Sequence, residues 1–167
     1  HGVEIEIRDP GTCEPVPVGQ PGEIWVRSAQ IMAGYWGKPE ATAQAVTPDG
    51  WYRSGDGGHI DADGYVYVTD RIKDMIISGG ENIYSKEVEN AVHAHPAVRE
   101  CAVIGVPDAK WGEAVTAMVV CKPGQQVPGD LLIDMVRERK GKVYAPKQVQ
   151  FVPELPRTAV GKIDKKV

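Results

Sequence analysis

The sequence has little of what disulfide scaffolds, membrane spans and metal centres require. Its three cysteines, Cys13, Cys101 and Cys121, are odd in number and far apart. No two have metal-ligand spacing, so neither a disulfide framework nor a metal site is indicated. Cys101 and Cys121 lie in apolar runs and read as small buried hydrophobes. That use of cysteine fits a reducing, cytoplasmic setting. No apolar run reaches the roughly 18 residues of a membrane helix, so no transmembrane segment is expected. The start, His1-Gly2-Val3-Glu4-Ile5-Glu6, lacks the basic and apolar regions of a secretory signal. An initiator Met is also missing, and a fragment of a longer polypeptide is expected. Excess positive charge is absent too. A net charge of −4 disfavours a phosphate backbone as partner, so no nucleic acid is expected.

What is present is globular. Apolar residues make up 42% and charged residues 25% of 167, enough for a core under a solvated surface in one ordinary domain or two small ones. Charge is uneven. Residues 1–70 carry 11 acidic and 4 basic groups, and residues 71–167 carry 12 acidic and 15 basic. A basic second part suits a small anionic ligand, although chance variation between two solvated surfaces gives the same pattern.

The first 70 residues read as short strands and turns. Val3, Ile5 and Ile7 alternate with charged residues before Asp9-Pro10-Gly11. Ile24 and Val26 alternate with Trp25 and Arg27 after Pro21-Gly22, and Tyr65-Val66-Tyr67-Val68 follows a turn at residues 61–64. One short helix is expected near Lys38–Val46. The second part alternates helices with strands. Ser85 is expected to cap a helix with Val88, Ala91, Val92 and His95 on its apolar stripe, closed by Pro96. Strands follow near Cys101–Val106 and Val115–Cys121. A second helix after Asp130 carries Leu132, Met135 and Val136, and a last strand lies near Gln148–Val152. The expected fold class is α+β. A β-rich hairpin or barrel-like piece, residues 1–71, precedes a small mobile α+β domain, residues 72–167, with a short sheet flanked by helices. The junction falls near residues 71–74.

Four segments could carry chemistry. Gly50-Trp51-Tyr52-Arg53-Ser54-Gly55-Asp56 sets a carboxylate among glycines in a turn, where its two acceptor oxygens suit a diol. A turn Asp bonding its own backbone is the plainer alternative. Residues 70–82 run Asp70-Arg71-Ile72-Lys73-Asp74-Met75-Ile76-Ile77-Ser78-Gly79-Gly80-Glu81-Asn82. There Arg71 could fork onto ribose or phosphate oxygens, and Gly79-Gly80 lets backbone approach a ligand or simply turns a hairpin. Trp111, within Pro107-Asp108-Ala109-Lys110-Trp111-Gly112-Glu113, offers a flat face, or covers a core edge. Lys162 follows Gly161 on a proline-punctuated tail and by itself reads as a solvated lysine near a frayed terminus.

Together and in order, these segments resemble the adenylate-forming superfamily: acyl- and aryl-CoA synthetases, luciferases and peptide-synthetase adenylation domains. Gly22-Glu23-Ile24 through Gly34-Tyr35-Trp36 matches the glycine–glutamate to glycine–tyrosine segment. Tyr52-Arg53-Ser54-Gly55-Asp56 resembles the aromatic–basic–hydroxyl–Gly–Asp motif, and residues 70–89 the hinge motif. Tyr144-Ala145-Pro146-Lys147 resembles the segment before the tail, and Pro156 to Lys162 the catalytic-lysine loop. The resemblance covers about residue 20 to residue 167. It implies that Asp56 accepts the ribose hydroxyls, that Arg71 contacts the nucleotide and that Lys73 is the hinge. It further implies that Gly79, Gly80 and Trp111 meet CoA and that Lys162 is catalytic and nucleotide-binding.

The substrates implied are ATP, a carboxylic acid and CoA, with a Mg²⁺ site outside these residues. A homodimer formed through the full-length enzyme is compatible with the class. The phosphate-gripping loop, the magnesium site and the acyl pocket are absent, so the fragment alone is expected to be inactive. Residues 73–82 resemble fatty-acid or aromatic-acid CoA ligases of fatty acid metabolism most. An adenylation domain that loads a carrier protein, or a non-catalytic binding module retaining the fold, are the alternatives.

Overall fold

A computed structural model describes residues 2–165. The chain divides into two compact units, one ending at Lys73 and the next beginning at Asp74. In the first unit, β1 (Val3–Arg8), β2 (Gly22–Ser28), β3 (Trp51–Ile60) and β4 (Val66–Arg71) form one antiparallel sheet in sequence order. It is an open meander and not a closed barrel. A short helix, α1 (Pro39–Ala45), enters on a proline in its first turn, where the missing N–H costs nothing.

Arg8 and Arg53 lie over Trp25, at 4.5 and 5.2 Å from its ring centroid, and Arg27 and Arg8 over Trp51, at 4.6 and 5.0 Å. Trp25 and Trp51 are both buried. The aromatic planes thus carry much of this sheet's packing, with guanidinium groups closing it against water.

The second unit follows a 3₁₀ turn, Ile72–Asp74, that spans the junction. Its sheet contains β5 (Ile76–Ser78), β6 (Glu81–Ile83), β7 (Val98–Asp108), β8 (Gly112–Cys121) and β9 (Gln148–Phe151). Strand order is β6-β5-β8-β7, with β9 pairing parallel to β8 from Thr116 to Val119. Helices α2 (Ser85–His93) and α3 (Gly129–Lys140) cover one face. Along β8, Val115, Ala117 and Val119 join Val88, Val92, Leu132 and Val136 in that core. Val120 and Met118 face the opposite way, toward Ala102 and Leu155. This is the two-residue period of a strand buried on both faces. Each fully buried Val or Leu contributes about 1.5–3 kcal/mol, so this double-sided packing dominates the unit's stability. Cys101 shares the helix-side core, and burial pushes its thiol up to about 12, which keeps it an inert hydrophobe. Cys121 is only half-buried. No helix among the described residues is long and apolar enough to cross a membrane.

Several local expectations are corrected. Residues 51–56 belong to a ten-residue strand, not a turn. The β5–β6 hairpin adds two strands ahead of α2. Ser85 is the first residue of α2, not its cap. Tyr84 holds the cap position, and no side chain caps there. The Ser85 hydroxyl is buried and accepts a bond from the Lys165 ammonium at 2.6 Å. His95 lies past the helix end, where its Nδ1 accepts the Ala97 N–H.

Candidate functional site

The site residues of the first unit come from β2, β3 and β4. Register slips between Glu23 and Trp25, so that Trp25 faces Arg53 while Glu23 faces Gly57. The extra residues on β3 bulge, and Gly55 takes up the distortion with a φ of +70°. The bulge is tied down on both sides. Ser54 Oγ donates to the Ile24 carbonyl at 2.7 Å and accepts the Asp56 N–H at 3.0 Å. Glu23, buried to 3% exposure, accepts from the Gly55 N–H at 3.1 Å, the Trp25 indole at 2.9 Å and the Arg53 guanidinium at 3.2 Å.

Asp56 follows directly. It pairs with Arg71 across β3 and β4, and Arg71 Nη1 reaches its Oδ1 at 2.8 Å. The structure therefore places these two sequence-predicted residues in one ion pair. Both are partly exposed, which keeps the carboxylate available as an acceptor. Beside them a cavity of about 730 Å³ is lined by Tyr35, Tyr52, Arg53, Ser54, Gly55 and Arg71, among others. The Tyr52 phenol is raised by burial first and then by its hydrogen bond with Tyr35.

In the second unit, Gly79 and Gly80 make the two-residue turn of the β5–β6 hairpin, with φ of +63° and +85°. Both angles are left-handed, as a primed hairpin turn requires. The Gly79 N–H donates to the Trp111 carbonyl at 2.8 Å, and a Cβ at Gly79 would stand 3.1 Å from the indole. Asp108 Oδ1 accepts the N–H groups of Lys110 and Trp111 and so fixes the loop that carries the ring.

The Lys110 and Lys147 ammonium groups lie 4.9 and 4.8 Å from that ring's centroid. A cavity of about 260 Å³ between hairpin and ring is lined by Ser78, Gly79, Trp111, Arg137, Lys142 and Lys147, among others. Burial, then the nearby Lys142 and Arg137 charges, pull the Lys147 ammonium below its ordinary range. Three cations, Arg137, Lys142 and Lys147, lining a cavity that the indole also lines suit an anionic ligand with a flat or apolar part. The Ser78 hydroxyl, buried at the edge of this cavity, has no hydrogen-bond partner among the described residues.

Lys162 sits elsewhere in the second unit, on a tail hairpin. Arg157 bridges Ile163, the Thr158 N–H donates to the Lys162 carbonyl, and Gly161 closes the turn with a φ of +80°. Its side chain is exposed and does not line the cavity around Trp111. Lys73 is exposed within the 3₁₀ turn at the junction.

Sequence reasoning missed Glu23 as an organising group. The available signal was a carboxylate beside the apolar run Ile24-Trp25-Val26. It also missed that Arg137, Lys142 and Lys147 stand beside Gly79 and Trp111, which only folding brings to them. Among the described residues, no three His, Cys, Asp or Glu side chains gather to hold a metal ion.

Comparison with known proteins places these features in context. Residues 87–162 match the AMP-binding enzyme C-terminal domain, and residues 1–36 match the AMP-binding enzyme family. A feruloyl-CoA synthase of Amycolatopsis sp is 54% identical over 150 residues, which cover 90% of this chain and 30% of that protein. A long-chain-fatty-acid–CoA ligase of Bacillus subtilis (strain 168) is 50% identical over 142 residues, 85% of this chain and 25% of that protein. The amide bond synthetase McbA from Marinactinospora thermotolerans superposes with a TM-score of 0.87 at 46% identity, covering 98% of this chain and 33% of that one. The chain thus spans about a third or less of the length of these relatives.

Proposed function

Because the chain belongs to the AMP-binding, adenylate-forming enzymes, we propose that it is the C-terminal part of an AMP-forming acyl-CoA synthetase acting on a fatty or aromatic carboxylic acid. In the first half-reaction a carboxylate oxygen attacks the α-phosphorus of ATP, and pyrophosphate leaves. Two anions must meet, and the compact ammonium of Lys162 offsets their repulsion as charge develops. Asp56 accepts the ribose hydroxyls, and Arg71, held on Asp56 at 2.8 Å, contacts the nucleotide.

In the second half-reaction the CoA sulfur attacks the acyl carbon, the thiol proton is released, and AMP leaves. Backbone at Gly79 and Gly80 admits the pantetheine arm. Arg137, Lys142 and Lys147 supply charge for the CoA phosphates, with the Trp111 face beside them. That cluster favours a phosphate-bearing thiol over a bare amine as acceptor, although the similar McbA is named an amide bond synthetase. Transfer to a carrier protein uses the same thiol chemistry and is the second reading. Magnesium would neutralise the ATP phosphates, and its ligands belong outside these residues.

The observation that carries the proposal is Lys162 itself, exposed on a braced hairpin at the end of the stretch matching the family's C-terminal domain. In the intact enzyme, Lys162→Ala should slow acid-dependent pyrophosphate release by about 100-fold or more, the scale of losing one charge-stabilising donor. Conversion of supplied acyl-adenylate and CoA to thioester should continue. Wild-type pyrophosphate release in this variant would refute the assignment. A screen of aliphatic and aromatic acids for AMP release identifies the substrate, and free CoA against a phosphopantetheinyl carrier identifies the acceptor.

A further inference from the structure

Lys162 has no rigid element of its own. It lies on a tail of turns, and Gly161 before it occupies a left-handed φ of +80°. A glycine there can leave that conformation with little steric resistance. Something else must fix the peptide that carries the lysine.

Three contacts anchor the tail. Leu155 is buried beside Ala102 and Val120, with Ile163 packed on the same patch. Lys165 closes the far end with an ion pair to Glu89 at 2.7 Å, and Glu89 in turn accepts the Val103 N–H at 3.0 Å. Between these anchors the Arg157 side chain spans the hairpin. Arg157 Nη1 donates to the Gly161 carbonyl at 2.9 Å, and Arg157 Nη2 donates to Glu100 Oε2 on β7 at 2.8 Å. The other Glu100 oxygen faces Arg99 at 3.6 Å.

The geometry points to Arg157 as the positioning residue for Lys162: it braces the Gly161–Lys162 peptide against Glu100 of the sheet. This rests on the reading of Lys162 given above. The Gly161 carbonyl belongs to the peptide bond whose nitrogen is that of Lys162. Holding that oxygen fixes the plane from which the lysine side chain departs. The planar guanidinium reaches two acceptors at fixed divergence, which one ammonium on a flexible stem does not reproduce. The ion pair is partly solvent-exposed, with the Arg157 side chain about half open to water, so solvent screening keeps its contribution to stability small. Its contribution is to where Lys162 stands, and a displacement of about 1 Å at a reacting group can cost on the order of 100-fold in rate.

The test uses the intact enzyme and whichever acid of an aliphatic and aromatic panel, led by ferulate and palmitate, gives the fastest AMP release. Arg157→Ala, Arg157→Lys, Glu100→Ala and Lys162→Ala are measured separately in each half-reaction. Both Arg157 variants should slow pyrophosphate release roughly 10- to 100-fold, with the KM for ATP and the rate from supplied acyl-adenylate kept within about twofold. Adding Glu100→Ala to Arg157→Ala should slow adenylation no further, because the two residues form one brace.

Wild-type adenylation in Arg157→Lys would overturn the inference. So would a parallel fall of both half-reactions with a lowered melting temperature, which marks a merely structural contact. If Lys162→Ala is inactive in adenylation while Arg157→Ala is not, only the brace fails. If Lys162→Ala adenylates normally, the functional reading fails and the brace with it.

Discussion

Glu23 shows how one buried carboxylate can organise residues that do not touch it in sequence. Its oxygens accept from Trp25, Arg53 and Gly55, and Gly55 precedes Asp56. A glutamine would keep one acceptor and lose the charge that Arg53 faces. Leaving a buried donor without a matched acceptor costs about 1–3 kcal/mol, and the low end applies because Arg53 is a third exposed. Glu23→Gln should therefore lower the urea midpoint of the chain. In the intact enzyme it should also raise the KM for ATP, because the bulge that sets Asp56 relaxes, and leave conversion of supplied acyl-adenylate unaffected. An unchanged KM for ATP would confine Glu23 to stability.

At the scale of elements, the β5–β6 hairpin carries the sharpest local constraint. Gly79 and Gly80 both hold left-handed φ values, but only Gly79 has a neighbour where a Cβ would go, the Trp111 ring at 3.1 Å. Gly80→Ala should cost only the conformational penalty, about 1–2 kcal/mol. Gly79→Ala should cost that penalty and also displace the indole, so it should melt lower and raise the KM for CoA more. Equal effects on that KM would separate the Trp111 ring from CoA binding.

Some elements were legible in the sequence: β1 by its alternating glutamates, β8 by its strand-like apolar run and α3 by its apolar stripe. Strand β3 was not, because Gly55, Gly57 and Gly58 erase the alternation. The structure gives a reason for two of them: Gly55 holds a left-handed φ of +70°, and a Cβ at Gly58 would stand 2.2 Å from the Tyr67 carbonyl. Strands β5 and β6, three residues each, are too short to show a period at all. The candidate site was readable where the motifs proposed for it are contiguous, at residues 52–56 and 156–162. It was unreadable where folding gathers distant groups, as with Trp111 and the cations Arg137, Lys142 and Lys147, or Arg157 and Glu100.

At the scale of the whole molecule, the division after Lys73 separates the residues proposed for nucleotide binding, Asp56 and Arg71, from Lys162 and the Gly79–Trp111 cluster. One small unit can serve both half-reactions if it presents Lys162 in the first and the hairpin in the second. That requires a few backbone angles near the junction to change, the usual form of a hinge. Lys73 is proposed as that hinge, exposed in a 3₁₀ turn that packs no buried residue. Proline would lock φ at residue 73 and push Ile72 out of helical geometry. Lys73→Ala removes the charge but leaves those angles free. In the intact enzyme, Lys73→Pro should keep the half-reaction compatible with its locked angles and slow the other by at least about 10-fold, consistent with lost positioning. Lys73→Ala should retain both. The two rates, from pyrophosphate release and from thioester formation on supplied acyl-adenylate, decide the matter. Wild-type rates for both half-reactions in Lys73→Pro would move the hinge elsewhere along residues 71–74, and loss in Lys73→Ala would assign the residue's role to its charge.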